Sequence, residues 1–515
     1  MGDNQAILLD IPEQPEPKAK PVRGELKLTS VNRQQTMLAH LYVEELIPAD
    51  HKARAIWELV KLWDLSRFTE GLRTTKGCAG RAAWDPQLLV SLWVYAYSES
   101  ITSAREIERV MSWEPGMMWL SGMEAINAHT LSDFRVDHRD ALDELFAQLL
   151  AMLSQEGLVN LEQVMHDGTK IRAQAGVDSF RREKSLRERL AEAREVVKQL
   201  GDPQAEAPAK SGKQAAQERA ARERMSRLEA AAKEMAVLQA EQGKAKEKDA
   251  VRVSLTEPEA RKMKHGDNAI APSYNAQITT DAKHKIIVGV HATQCSSDAN
   301  SLMPALEEVV GNLHQIPQQV VVDGGFTNRE NVIKCAAQSI DLFGKLPDPK
   351  ERSEAAMKAN GIDPKFAPHY FHSLENGEKL KCPAGCILDQ LGKSVKHGDP
   401  YQQYQARGED CLNCRYQTLC CPRQPARGRI VSIRLDEHAE MRAFREKMQR
   451  EESEAIYRRR GEVAEFPNAW IKEKLGLRKF RVRGLVKAES ELLWACLTYN
   501  IMQWVRLVWR QRAIA

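Results

Sequence analysis

Apolar residues recur every three or four positions through the first third of the chain. Met37, Leu38, Leu41 and Leu46 form one such stripe, and Ile56, Leu59, Val60 and Trp63 a second after the break at Pro48. That spacing puts side chains on one face of an α-helix. In WDPQLLVSLWVYAY, Asp85 is placed to cap a helix and Pro86 to occupy its first turn. Ser103 with Glu106 has the spacing of a capping box, and Thr130 with Asp133 repeats it ahead of a periodic stretch from Phe134 to Leu153. Residues 26–155 are therefore expected to be all-helical. Before them, prolines at 12, 15, 17 and 21 stand among charges with no apolar face to bury, so residues 1–25 are expected to form a flexible tail.

After Gly157 the period changes. LEQVMHDGTKI, YNAQITTD and KIIVGVHATQ are short runs rich in Val, Ile and Thr, the composition of strands. A helix over SLMPALEEVVGNLH leads into QQVVVDGGF, and another near NRENVIKCAAQS leads into IDLFGKL. The alternation predicts an α/β domain, a mixed or parallel sheet with helical crossovers. Its parts are 156–180, 251–345 and 425–515. Between them, residues 181–250 are charged and alanine-rich and are divided at Gly201, Asp202 and Pro203, which predicts a helical-hairpin insertion. Residues 346–424 lack periodic apolar positions, do not read as sheet, and form a Cys-rich insertion. From Asp436 the pattern is helical, ending with Trp494, Leu497, Ile501, Trp504 and Val508 on one face, read as core packing.

The 515 residues contain no apolar run near the ~20 that a membrane helix needs, and no basic-then-apolar secretion segment opens the chain. A cytoplasmic protein with reduced thiols and no membrane partner is expected. A net charge of +4 permits a nucleic-acid partner without requiring one. Three carboxylates stand apart by their surroundings. Asp167 in VMHDGTK and Asp323 in VVVDGGF each follow a strand-like run and precede glycine, so both are expected at strand ends, where ligands collect in α/β sheets. Two parallel strands would bring them together. Glu465 lies on a helical stretch that also carries Tyr457, Arg460, Glu462 and Lys472. Carboxylates from separate elements are what a two-Mg²⁺ site for phosphoryl chemistry needs, with Arg460 and Lys472 free to hold a flanking phosphate. Spacing alone does not select this trio from 71 acidic residues.

At these residues the chain resembles the bacterial insertion-sequence transposases with an RNase H-like domain and a DDE triad, and looks closest to the insertion-sequence 1182 group. The pieces that carry the resemblance are HDGTKIRA, SYNAQITTDAKHKIIVG, VVVDGGFTNREN and YRRRGEVAE…IK…GLRKFRVRG…YNI, with RAAWDPQLLVSLWVYAY, SAREIERV and HTLSDFR nearer the start. The resemblance implies Asp167, Asp323 and Glu465 as catalytic ligands of two Mg²⁺ ions, with Mn²⁺ as a substitute. It matches Tyr457, Arg460, Glu465 and Lys472 to a Tyr-Arg-Glu-Lys signature whose basic members contact DNA near the cleaved end. It also implies cleavage at the element's ends, attack of the 3′ hydroxyls on target DNA, terminal inverted repeats as partners, and at least a homodimer on double-stranded DNA, with the protein nucleoid-associated when bound. The chain departs from the family pattern in reading VVVDGGF where alanine-glycine-tyrosine is usual, and EFPNAW after the glutamate, which leaves Glu462 as the nearest substitute. A Mg²⁺-dependent endonuclease without strand transfer and an inactive DNA-binding protein are the competing readings.

GLRKFRVRG alternates, setting Lys479, Arg481 and Arg483 on one side and Phe480 and Val482 on the other, an arrangement that lets one side pack while the other meets phosphate. Cys382 and Cys386, Cys411 and Cys414, then Cys420 and Cys421 give paired spacings compatible with a structural Zn²⁺ site, unpaired loop thiols being the alternative. Cys78, Cys295, Cys335 and Cys496 lie among apolar residues and are expected in the core. His166, beside Asp167, is a candidate DNA contact; Asp281 and Asp298 are candidates for ordering strands or loops near the site.

Overall fold

A computed structural model of the chain describes residues 40–70, 72, 82–200, 212–242, 245–396 and 398–514. The chain divides into residues 1–42 and a larger unit, Val43–Ala515. Only residues 40–42 of the first are described, so the expected tail, Met37 and Leu38 lie outside the described residues, as does Cys78. In the second, the helices α1 (Lys52–Val60), α2 (Pro86–Ser98), α3 (Ala104–Val110), α4 (Pro115–Ser121), α5 (Ala128–Asp137) and α6 (Arg139–Gln155) build the amino-terminal region. Asp85 accepts the Gln87 N–H and Pro86 opens α2, as expected. Every residue of α2 from Leu88 to Tyr97 is buried, so this helix is the region's centre.

Three local expectations fail. In the described part of the first stripe, residues 40–46, there is a single 3₁₀ turn, Val43–Glu45, in place of the expected helix, and Pro48 stops it from extending. Ser103 precedes α3 but its hydroxyl makes no cap bond. Thr130 is inside α5: the cap is Asn127, whose side chain accepts the Thr130 N–H, and the stretch to Leu153 is broken at His138 into α5 and α6.

The α/β region runs β1 (Gln163–Arg172), β2 (Phe180–Arg181), α7 (Glu183–Gln199), α8 (Gly212–Glu241), α9 (Ala245–Ala250), β3 (Val253–Ser254), β4 (Arg261–Lys264), β5 (Ile270–Asp281), β6 (Ile287–Thr293), α10 (Leu302–Leu313), β7 (Gln319–Val322), α11 (Arg329–Ala337) and β8 (Asp341–Gly344). Its sheet is ordered β6-β5-β1-β7-β8, with β4 beside the start of β5. β5 is antiparallel to β1 and β6, while β1, β7 and β8 run parallel, linked by α10 and α11. This mixed sheet has the RNase H-like order. In the 181–250 segment, Leu186, Leu190 and Ala193 of α7 pack on Leu228, Ala231 and Met235 of α8. Arg194 pairs with Glu229 and Gln239 with Glu183, a descending register that marks the two helices as antiparallel. β2 pairs with β3 at their base.

The Cys-rich segment is not free of sheet. After α12 (Pro349–Ala359), β9 (His372–Leu374), β10 (Lys379–Lys381), β11 (Ile387–Lys396), β12 (Asp399–Ala406) and β13 (Ile430–Arg434) form a five-stranded antiparallel sheet, with α13 (Gly408–Leu412) and α14 (Gln417–Cys420) between the last two strands. Its strands escaped the hydrophobic pattern because β11 is exposed at most positions on both faces, so no period of two is written into it. β13 also carries this sheet past residue 424.

The chain closes with α15 (Ala439–Met448), α16 (Glu451–Arg458), α17 (Arg460–Glu473) and α18 (Leu485–Trp504). Trp494, Leu497, Ile501 and Trp504 are buried where α18 packs between α2, α6 and β6, and Val508 follows, half-buried, in a π-helical turn. Cys335 and Cys496 are core residues, but Cys295 is exposed, since it lies in the loop after β6.

Candidate active site

The β1–β7 ladder pairs Gln163 with Gln319 through His166 with Val322, always 156 positions apart. Asp167 and Asp323 have that same separation and come next, so the register sets them side by side where the parallel ladder stops. Asp323 follows β7 directly, as expected. Asp167 does not end its strand: β1 continues to Arg172 because β5 goes on pairing with it as far as Ser273. What ends beside Asp167 is the neighbouring strand. The Asp323 carboxylate accepts the Gly325 N–H and orders the turn, while α11 is capped separately by Asn328.

Successive side chains of β1 face opposite ways. On the face of Asp167 and Thr169 lies α17, whose Val463 and Ala464 pack with Met165, Val321 and Phe343. Asn468 Nδ2 donates to Asp167 Oδ2 at 3.0 Å, and Lys472 Nζ donates to Thr169 Oγ1. The Arg460 guanidinium lies between two carboxylates, 3.7 Å from Asp167 and 3.8 Å from Glu465. Glu465 is largely exposed, and Glu462 turns away to pair with Lys285. Tyr457, half-buried on α16, packs against the Met165–Val463 cluster. Pro467 sits inside α17, where its missing N–H leaves the Val463 carbonyl without its helical donor. Burial pushes the Asp167 carboxyl up to about 6, with Arg460 opposing and Asp323 adding to the rise. Burial lowers the pKa of Lys472, opposed by Asp167.

The opposite face carries a polar network that no spacing rule selected. Register sets His166, Gly168 and Lys170 across from Thr279, Gln277 and Asn275. The His166 ring is hydrogen-bonded to Thr279 and Gln277, both at 2.9 Å. Gln277 and Asn275 donate to Asp298 Oδ1 at 3.1 and 2.7 Å, and Lys170 to its Oδ2 at 3.3 Å. A Cβ on Gly168 would stand 2.6 Å from Asp298 Oδ1, so glycine is required for the carboxylate to brace β1 from behind. His166 is fully buried, with a pKa held down to about 4, and so is a neutral support under the strand, not a DNA contact. Asp281 accepts the N–H groups of Asn160, Leu161 and Lys283 and fixes the approach to β1. The available signal was the polar alternation Asn275, Gln277, Thr279 in a strand buried nearly throughout; Asn468 had none beyond its helical spacing from Arg460.

Lys479, Arg481 and Arg483 are exposed, while Phe480 is buried against Tyr274 and Val482 is half-buried. The segment is anchored by the Phe480 N–H on the Arg172 carbonyl and by the Arg481 and Val482 N–H groups on the Glu491 carboxylate. All six clustered cysteines, Cys382, Cys386, Cys411, Cys414, Cys420 and Cys421, line one cavity beside the second sheet.

Among the described residues no three His, Cys, Asp or Glu side chains are already grouped to hold a metal ion. The donor chemistry at Asp167 nevertheless fits a hard cation: the strand register brings a second acidic residue, Asp323, next to it, and the Oδ1 of Asn468 is buried there without a partner.

Residues 381–505 match the model of the Transposase DDE domain, and residues 41–137 that of a Transposase domain (DUF772). The first match includes Glu465 and stops short of the two aspartates; the second spans α1 to α5. No curated protein matches the chain. Together the two matches indicate a transposase with a DDE domain, an enzyme of the nuclease and transposition class that binds DNA and depends on a divalent metal, typically Mg²⁺. Among the described residues no helix is long and apolar enough to cross a membrane.

Proposed function

We propose that the chain is a transposase of the insertion-sequence 1182 group that cleaves DNA at its element's ends and joins the freed 3′ hydroxyls to target DNA. The observation that carries this reading is the shared register of Asp167 and Asp323 beneath a helix that presents Arg460, Glu465 and Lys472 over the same strands. Asp167 and Asp323 would hold Mg²⁺, or Mn²⁺ in its place, with Glu465 completing the set when its side chain exchanges Arg460 for the ions. When bound, a pair of such ions activates the attacking oxygen and offsets charge on the leaving one. Arg460, released from the carboxylates, and Lys472 then bind the phosphates flanking the scissile bond. Tyr457 positions the end from α16.

Terminal inverted repeats and target duplex are the proposed partners, with at least two copies of the chain on DNA so that both ends are processed together. Labelled element-end DNA incubated with a target plasmid and Mg²⁺ tests the reaction. Joined products are expected; ends that are cut and never joined would instead favour a simple endonuclease, and no metal-dependent cutting at all would leave a DNA-binding protein.

Lys479, Arg481 and Arg483 are proposed to meet the DNA backbone. Replacing Arg481 and Arg483 by glutamine is expected to weaken binding to related and unrelated duplexes alike. The slope of log K against log salt should become shallower by roughly 0.9 for each lost phosphate contact. An unaltered slope in a salt titration would remove these side chains from the interface.

A further inference from the structure

The Cys-rich insertion has little to hold it together. Its five-stranded sheet covers one small apolar cluster in which only six side chains, among them Leu380, Leu388 and Val431, are buried. A core of that size rarely suffices without a covalent or metal staple. At the edge of this cluster the thiols converge from three places: the β10–β11 turn, the end of α13 and the end of α14. The cavity they line is about 20 Å³, space for one water-sized atom.

We propose that Cys382, Cys386, Cys411 and Cys414 bind one structural Zn²⁺ that ties the β10–β11 turn to α13. Each pair occupies a tight turn: the Cys382 N–H donates to the Cys386 carbonyl at 2.9 Å, and the Cys414 N–H to the Cys411 carbonyl at 3.4 Å. One sulphur in each pair already receives a backbone amide. The Cys386 N–H donates to Cys382 Sγ at 3.2 Å and the Arg429 N–H to Cys411 Sγ at 3.3 Å. Amides aimed at sulphur stabilise negative charge there and orient a thiolate toward a metal. Cys421 is the less suited alternative, since its thiol donates to the Gln424 carbonyl. Four thiolates meet the tetrahedral preference of Zn²⁺, with Zn–S distances of about 2.3 Å. Uptake draws in sulphurs that do not yet form a ligating group, so it tightens the insertion around the ion and releases the four thiol protons to solvent. This site uses none of the catalytic residues and stands or falls apart from the transposase reading.

The full-length protein, purified without chelator and reconstituted with Zn²⁺, is expected to hold one zinc per chain by elemental analysis and native mass spectrometry. Co²⁺ in its place should give the strong near-ultraviolet sulphur-to-metal absorption of a tetrathiolate site. Chelation should open the insertion to protease while the rest of the chain resists. The double variant Cys411→Ser/Cys414→Ser should lose the zinc, and Cys421→Ser should keep it. Folded wild-type protein that takes up neither Zn²⁺ nor Co²⁺ would overturn the proposal, as would zinc retained by the double variant or lost from Cys421→Ser. If the double variant does not fold, the wild-type Co²⁺ spectrum and the chelator-dependent proteolysis still decide.

Discussion

Asp167→Asn is expected to abolish strand cleavage and joining while making the metal-free protein more stable at neutral pH. The loss of activity follows from removing a charged oxygen from the proposed metal site. About 4 kcal/mol of lost transition-state stabilisation is a thousandfold in rate, and Asp323→Asn should match it, with DNA binding retained in both. The gain in stability follows from the neighbours of Asp167. Its carboxyl lies under α17 and next to Asp323, and its pKa is raised from 3.8 to about 6. Between those values the native state holds a proton that the unfolded chain has released, so stability falls as pH rises through this window and stays lowered above it. About two units correspond to roughly 3 kcal/mol. The asparagine keeps the shape without the charge, and its amide can pair with Asn468. Denaturant unfolding in the presence of chelator, from pH 4 to pH 8, measures the effect. Wild-type stability should decline over that range while the variant's declines less. A variant less stable than wild type at pH 7.5, or one that still joins DNA, would contradict the assignment.

Glu491→Ala should be among the most destabilising single substitutions in the protein, costing about 3–5 kcal/mol. Glu491 on α18 is fully buried and faces Arg135 of α5, itself only 5% exposed, at 3.5 Å. Its other oxygen accepts the N–H groups of Arg481 and Val482 at 2.8 and 3.3 Å. Arg135 donates to the Thr102 carbonyl and lies over the Trp93 ring. Alanine would leave a guanidinium unpaired in the core and two amides unsatisfied. Glu491→Gln preserves an acceptor and should cost less. Urea unfolding of the two variants checks this. A loss below about 1 kcal/mol for the alanine variant would mean that the cluster is not a working link between the helical region and the basic segment.

Where side chains obey a strong period, the sequence was enough. The stripe at Ile56, Leu59 and Val60, the cap at Asp85 and the aromatic face of α18 all lie as their spacing predicts. The mixed sheet and the proximity of Asp167 to Asp323 were also legible, because two apolar runs each followed by Asp-Gly make one parallel pair the natural arrangement. The depth of Asp167 within its strand was not, since the strand's length is set by β5, more than a hundred residues away. Nor was the Asp298 brace, whose members Asn275, Gln277 and Lys170 acquire meaning only once the register is known. The second sheet was missed because a hairpin exposed on both faces writes no hydrophobic period. The cysteines were noticed by spacing alone, and only folding showed that all six share one cavity.

The two-residue strands β2 and β3 have a consequence out of proportion to their length. By pairing Phe180 with Ser254 and Arg181 with Val253, they bring the chain's departure from and return to the catalytic body to within about 5 Å. The segment 182–252 is thereby carried as an appendage whose excision and replacement by a short turn would leave the spacing of the proposed metal-binding carboxylates untouched.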